Sequence, residues 1–297
     1  MNSSPQLAKP RVRAMAVQYR MQACASFLEF ADRIGYFAGV AGDYACDFLC
    51  FPEFMALELL SIGPRRLDGV EAMRAMAAHA AAIDGLMSEL AVRHQVNIIG
   101  GAFPRTLSDG SVRNLAGFYH RDGRIEQRSK IHATPSERQV WGVSGGDDAE
   151  VIATDCGPVG IAICYDSEFP ELVRHLTDQG ALLLFVPFCT DERQGYLRVR
   201  YSSQARCIEN QIYAILAGTV GHLPRVLNMD IQYAQSCILT PCDLMFARDG
   251  IAAEAAPDNQ VVVFADLDLA ALLDARERGT VRNLADRRSD LYKLWQR

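Results

Sequence analysis

The sequence predicts an α/β protein whose sheets carry helices on their outer faces, and three observations support that expectation. Short β-like runs alternate with amphipathic helical stretches along the whole chain, with no low-complexity segment and no repeat of fixed period. Two Asp-Gly turns, Arg121-Asp122-Gly123-Arg124 and Arg248-Asp249-Gly250-Ile251, sit between strand-like flanks and predict antiparallel hairpins. Hairpins mixed with β-α-β crossovers exclude a purely parallel, doubly wound sheet. Two domains would fit into 297 residues, but no linker is visible, so we read residues 1–297 as one domain ending in an arm over residues 280–297.

In chain order, apolar runs rich in branched and aromatic residues place strands at Val12 to Gln18, Asp47 to Phe51, Asn97 to Gly101, Ala116 to His120 and Gly160 to Cys164. Further strands are expected at Ala181 to Pro187, Tyr213 to Gly218, Ser236 to Thr240 and Val261 to Asp266. Apolar residues at helical spacing predict helices over Ser26 to Ala41, Val70 to His94, Phe169 to Gln179, Gln194 to Gln211 and Leu269 to Arg278. Pro170 falls in the first turn of its helix, where the missing N–H costs nothing.

A chain that is 49% hydrophobic and 22% charged folds as a soluble globule rather than staying disordered. With 30 basic against 36 acidic residues its formal net charge is -6, so no cationic field is available for a phosphate backbone and nucleic acid is excluded as a partner. Met1 to Pro10 lacks the basic start and apolar run of a signal peptide, and the longest apolar run, Ala181 to Val186, cannot span a bilayer. The expectation is a cytoplasmic protein without a membrane partner. Nine cysteines, an odd number with no Cys-x-x-Cys pair, suggest a reducing compartment and no metal site.

Chemistry concentrates at strand ends, where open sheets place their ligand sites. The apolar run Val159 to Ile163 closes in Cys164 just before a helix, where oriented N–H groups favour a thiolate and an adjacent oxyanion. The run Phe48 to Pro52 closes in Glu53, and a strand after the first hairpin closes in Lys130. A carboxylate, an ammonium and a thiol on one rim supply a general base, an oxyanion stabiliser and a nucleophile. Each has an ordinary alternative: a solvated turn carboxylate, a surface lysine, a thiol that merely ends a core strand.

In this order the three segments resemble the nitrilase superfamily of carbon–nitrogen hydrolases. Cys50-Phe51-Pro52-Glu53-Phe54, Ser129 to Glu137 and Cys164-Tyr165-Asp166-Ser167-Glu168-Phe169-Pro170-Glu171 match its three motifs, and Ala205 to Asn210 is similar to its Arg-Ala-x-Glu-Asn helix. The resemblance implies a four-layer α-β-β-α sandwich that pairs into a homodimer or a larger even-numbered homo-oligomer, with the arm exchanged between subunits. It also implies catalytic roles for Glu53, Lys130 and Cys164, an orienting role for Glu137, and the Tyr165 N–H as a second oxyanion donor. No cofactor is required. Cys164-Tyr165-Asp166 departs from the Cys-Trp-Glu of true nitrilases and is closer to amidase branches. The closest likeness is to hydrolase domains that elsewhere follow an acetyltransferase domain, a domain not expected here.

The expected activity is therefore hydrolysis of a small-molecule carboxamide to acid and ammonia. Nitrile hydrolysis by the same residues and a catalytically silent scaffold are the rival classes. His132 competes with Glu53 as base, although its place in the motif suggests structural hydrogen bonding. Arg206 and Glu209, three residues apart, suggest an internal ion pair. Pocket walls are assigned to Phe54, Trp141, Phe188 and Cys189. Arg138 or Arg193 facing the site would indicate an acidic substrate.

Overall fold

The computed structural model describes residues 9–63, 67–224, 226–227, 229 and 231–295. In chain order its first half comprises β1 (Arg11–Met21), α1 (Phe27–Asp43), β2 (Phe48–Cys50), α2 (Gly69–Ala77), α3 (Ala80–His94), β3 (Asn97–Thr106), β4 (Val112–Tyr119), β5 (Ile125–Ser129), α4 (Pro135–Gln139) and β6 (Val143–Ser144). The second half comprises β7 (Ile152–Thr154), β8 (Gly157–Ile161), α5 (Pro170–Asp178), β9 (Leu183–Phe188), α6 (Arg193–Asn210), β10 (Tyr213–Gly221), β11 (Cys237–Leu239), β12 (Ile251–Glu254), β13 (Val261–Asp268), α7 (Leu269–Arg278) and α8 (Ser289–Trp295).

Two sheets meet at β1. It pairs antiparallel with β13 and parallel with β2, and only its last residues, Tyr19 to Met21, pair with β10. The strand order is β5-β4-β3-β2-β1-β10-β9-β8-β7, with β11 and β12 added beside β10. Alternation along each strand sorts side chains between layers. Met15, Val17 and Tyr19 of β1 and Leu49 of β2 join Phe30, Ile34 and Phe37 of α1 and Ile83, Met87 and Leu90 of α3. Ala14 and Ala16 of β1 and Phe48 and Cys50 of β2 face the other sheet, where the Phe48 and Phe185 rings lie 5.3 Å apart. That second sheet is covered in turn by Leu172, Val173 and Leu176 of α5 and Tyr196 and Val199 of α6. The result is the α-β-β-α order expected from the sequence.

Several expectations need correction. The single helix expected from Val70 to His94 is two, because α2 packs on β3 while α3 packs on α1. The strand expected to end in Cys164 stops at Ile161. Gly123 at φ 94° turns a tight hairpin between β4 and β5, whereas Gly250 ends a long loop between β11 and β12. The start of the arm makes contacts within its own chain: the Thr280 N–H donates to Asp243, the Leu284 N–H to Gln211, and Arg287 pairs with Asp178 at 2.9 Å. The side chains of Lys293, Leu294 and Trp295 lie outside the described residues.

Candidate active site

β2, β5 and β8 run in the same direction through the pairing of the two sheets, so the segments leaving their C-terminal ends converge. They bound a cavity of about 500 Å³ lined by Glu53, Lys130, Glu137, Cys164 and Tyr165.

Past β2, the Phe51 N–H donates to the Ile99 carbonyl at 2.8 Å and the Phe54 N–H to Ala102 at 2.7 Å, so the turn carrying Glu53 rides along β3. The pairing of β3 with β4 is irregular between Ile99 and Ala102, which makes room for that turn. Gly101 there has φ 70°, and a Cβ on it would stand 2.1 Å from the Pro52 carbonyl oxygen, so only glycine admits the approach.

Lys130 lies one residue past β5, its N–H donating to Asn114 and its carbonyl accepting from Gly146, both at 2.8 Å. Glu137 belongs to α4, where it closes a capping box: its N–H donates to Thr134 Oγ1 at 3.2 Å, and its Oε2 accepts from the Thr134 N–H at 2.7 Å. Cys164 opens a 3-10 turn, Cys164–Glu168, with φ 49°, a conformation costly for any residue but glycine. The leading amides of such a turn, Tyr165 among them, have no carbonyl inside it to donate to.

The charged groups form one buried cluster. Lys130 Nζ lies 2.8 Å from Glu53 Oε1 and 2.9 Å from Glu137 Oε2. Asn114 Nδ2 donates to the same Glu53 oxygen at 2.8 Å and to Glu137 at 3.3 Å. Burial pushes the Glu53 carboxyl up to about 7, with the Lys130 charge and hydrogen bonding to the Cys164 thiol pulling the other way. Burial also works against the Lys130 charge, but Glu53 and Glu137 overcome it and hold the ammonium well above its ordinary range. Cys164 Sγ lies 3.7 Å from the Cys189 carbonyl oxygen. Burial, followed by Glu53, holds its thiol well above the usual range, against Lys130. The thiolate expected from the oriented N–H groups is thus disfavoured, chiefly because the thiol is buried and then because Glu53 faces it. In this arrangement the proton must move from sulfur to Glu53 when the nucleophile is needed.

Asp166 fixes the nucleophile turn to the lysine segment. Its carboxylate accepts from the N–H groups of Ile131 at 3.2 Å, His132 at 2.8 Å and Ile163 at 3.3 Å. It also lies 2.8 Å from His132 Nδ1, while the His132 ring stacks on Phe169 at 3.6 Å. His132 is therefore held by Asp166 and Phe169. Arg206 pairs with Glu209 and also donates to the Ser167 carbonyl at 3.2 Å, bracing the same turn.

Of the expected pocket residues, Phe54, Trp141 and Cys189 line the cavity, with the Phe54 and Trp141 rings edge to face at 5.0 Å. Phe188 does not; it is fully buried against Tyr196, and its ring fills the space beside Gly218. Neither Arg138 nor Arg193 lines the cavity, whereas Arg198 does. Asn114 and Gln232 were not singled out from the sequence, and Asp166 was noted only as a motif position. A signal existed for Asn114, since a polar amide inside the apolar strand β4 requires buried partners.

Fold and site together define the class of hydrolases that act on carbon–nitrogen bonds. The chain belongs to the carbon–nitrogen hydrolase family: residues 12–277 match the family model described as Carbon-nitrogen hydrolase. It is 48% identical over 283 residues to "Probable hydrolase YhcX" of Bacillus subtilis, covering 95% of this chain and 55% of that protein, so it spans about half that relative's length. It is 27% identical over 216 residues to "Omega-amidase NIT2" of Xenopus tropicalis, covering 70% and 74% of the two chains. The fold is shared with Saccharomyces cerevisiae Nit3, a member of the nitrilase superfamily, at a TM-score of 0.75 and 20% identity, over 93% of this chain and 96% of that one. Among the described residues no helix is long and apolar enough to cross a membrane.

Proposed function

We propose that the protein hydrolyses a small-molecule carboxamide to a carboxylic acid and ammonia through a thioester on Cys164. The observation that carries this reading is a single cavity lined by the Cys164 thiol, the Glu53 carboxyl and the Lys130 ammonium, with Lys130 Nζ 2.8 Å from Glu53 Oε1. Glu53 takes the thiol proton as sulfur attacks the amide carbon, and the oxyanion is held by Lys130 Nζ and the Tyr165 N–H. Glu53 then returns the proton to the leaving nitrogen, the C–N bond breaks, and ammonia departs. A water deprotonated by Glu53 attacks the thioester, releasing the acid and restoring the thiol. Glu137 orients Lys130. The similarity to a protein named as an omega-amidase supports an amide as substrate.

The test is release of ammonia and acid over a panel of amides and matched nitriles, with Cys164→Ala as blank. Equal amounts of the two products from amides, absent in the blank, are expected. Faster turnover of the nitriles would replace the amide reading with a nitrile one. No product above the blank would remove both.

We propose also that the protein is a homodimer or a larger even-numbered homo-oligomer. On α6, Tyr201 is 66% exposed and Ile208, two turns on, 37% exposed, an apolar face suited to a partner. Light scattering at micromolar concentration should give twice the chain mass or an even multiple, and Tyr201→Asp should shift the population towards the single chain. A stable, active monomer would overturn this.

A further inference from the structure

The groups around the cavity do not balance in charge. Among the described residues, five carboxylates line it, from Glu53, Glu137, Glu168, Asp191 and Glu192, against two cations, Lys130 and Arg198. Lys130 is shared between Glu53 and Glu137, and Arg198 stands 3.5 Å from Glu168. Asp191 and Glu192 have no basic side chain within ion-pair distance among the described residues. They follow Cys189 and Thr190 directly and lead into the first turn of α6, where the helix end favours negative charge. Phe54, Trp141, Val199, Met229 and Ile231 supply an apolar part of the wall, and Thr134, Ser136, Thr190 and Gln232 are its uncharged polar part.

From this placement we propose that the cavity selects its substrate by charge: it takes amides whose acyl chain carries an ammonium group and rejects those whose chain carries a carboxylate. The inference rests on the amidase reading for the word amide, but the selection itself belongs to the rim. A methylene stem lies against the apolar wall and its ammonium is drawn to Asp191 and Glu192, while the aromatic faces of Phe54 and Trp141 tolerate a cation better than an anion. A carboxylate in the same position meets two carboxylates that no basic side chain among the described residues pairs with. Two such charges discriminate between a cation and an anion by about 5-fold or more even when partly screened.

Two measurements separate this inference from the amidase reading. The first needs no hydrolysis. Cys164 is alkylated by iodoacetate, iodoacetamide and 2-bromoethylamine, and each rate is divided by that of the exposed Cys242 in the same molecule, which cancels intrinsic reactivity. The normalised rate should rise from the anionic to the neutral to the cationic reagent. The spread should shrink several-fold in Asp191→Asn/Glu192→Gln and in high salt. The second compares kcat/KM for pentanamide, 5-aminopentanamide and 4-carbamoylbutanoate, with the same order expected. An anionic reagent or substrate that performs as well as the cationic one, or a spread unchanged in the double variant, overturns the charge selection. The predicted alkylation order with no amide turned over would instead remove the amide reading and leave the rim's selectivity standing.

Discussion

Glu53→Gln should fold as the parent does and lose about 10²–10⁴-fold in kcat, the range a general base contributes. The substitution keeps the shape of the side chain and an oxygen for Lys130 and Asn114, which approach Glu53 Oε1 at 2.8 Å. What it removes is the ability to accept the thiol proton and return it to nitrogen. Because burial holds the Glu53 carboxyl up to about 7, pH supplies a second readout. The base must be ionised to act, so kcat/KM of the parent should fall as pH drops through 7 and level off above it. The variant should lack that limb. Cys164 alkylation should slow in the variant relative to Cys242, since the thiol depends on Glu53 to lose its proton. Parental ammonia release from Glu53→Gln would mean that another group is the base.

The parts of this site that were legible in the sequence are those in which an ionisable residue closes an apolar run. Glu53 and Cys164 show that pattern, Lys130 follows the polar strand β5 and was legible only as a strand end after a hairpin, and strands running the same way bring such ends to one edge. Groups that act from within an element were harder to single out. Asn114 is the third residue of β4, ahead of the strand expected from Ala116, and Asp166 stood out only as a departure within the third motif, not as the acceptor of three N–H groups. Local sequence also pointed the thiol's shift the other way, since a helix start nearby says nothing about how deeply the sulfur is buried or about the Glu53 charge that faces it. The pairing of Phe188 with Cys189 as pocket walls failed for a geometric reason. Successive residues at the end of β9 point to opposite sides, so only Cys189 meets the cavity while Phe188 enters the core.

Replacing Lys130 by methionine should have the largest effect on stability, about 3–5 kcal/mol at pH 8, because it strips the counterion from two carboxylates almost completely out of water. Loss of the oxyanion donor removes activity as well, but activity alone cannot distinguish that role from structural damage. The pH dependence of stability can. Without the ammonium, Glu53 and Glu137 are left buried beside each other, and desolvation, which already raises Glu53 in the parent, acts with less opposition. A carboxyl whose folded value lies above its unfolded value binds its proton more tightly in the folded state. Stability of the variant should therefore rise as pH falls through the folded values towards about 4.3, and be lost as pH climbs. Urea unfolding of parent and Lys130→Met at pH 8 and pH 5.5 measures this: the deficit should be smaller at the lower pH. Adding Glu137→Gln should recover part of the deficit at pH 8, since one buried charge is then gone. A deficit equal at both pH values and untouched by Glu137→Gln would show that Lys130 supports the fold through packing of its stem, and that its charge does not hold the two carboxylates together.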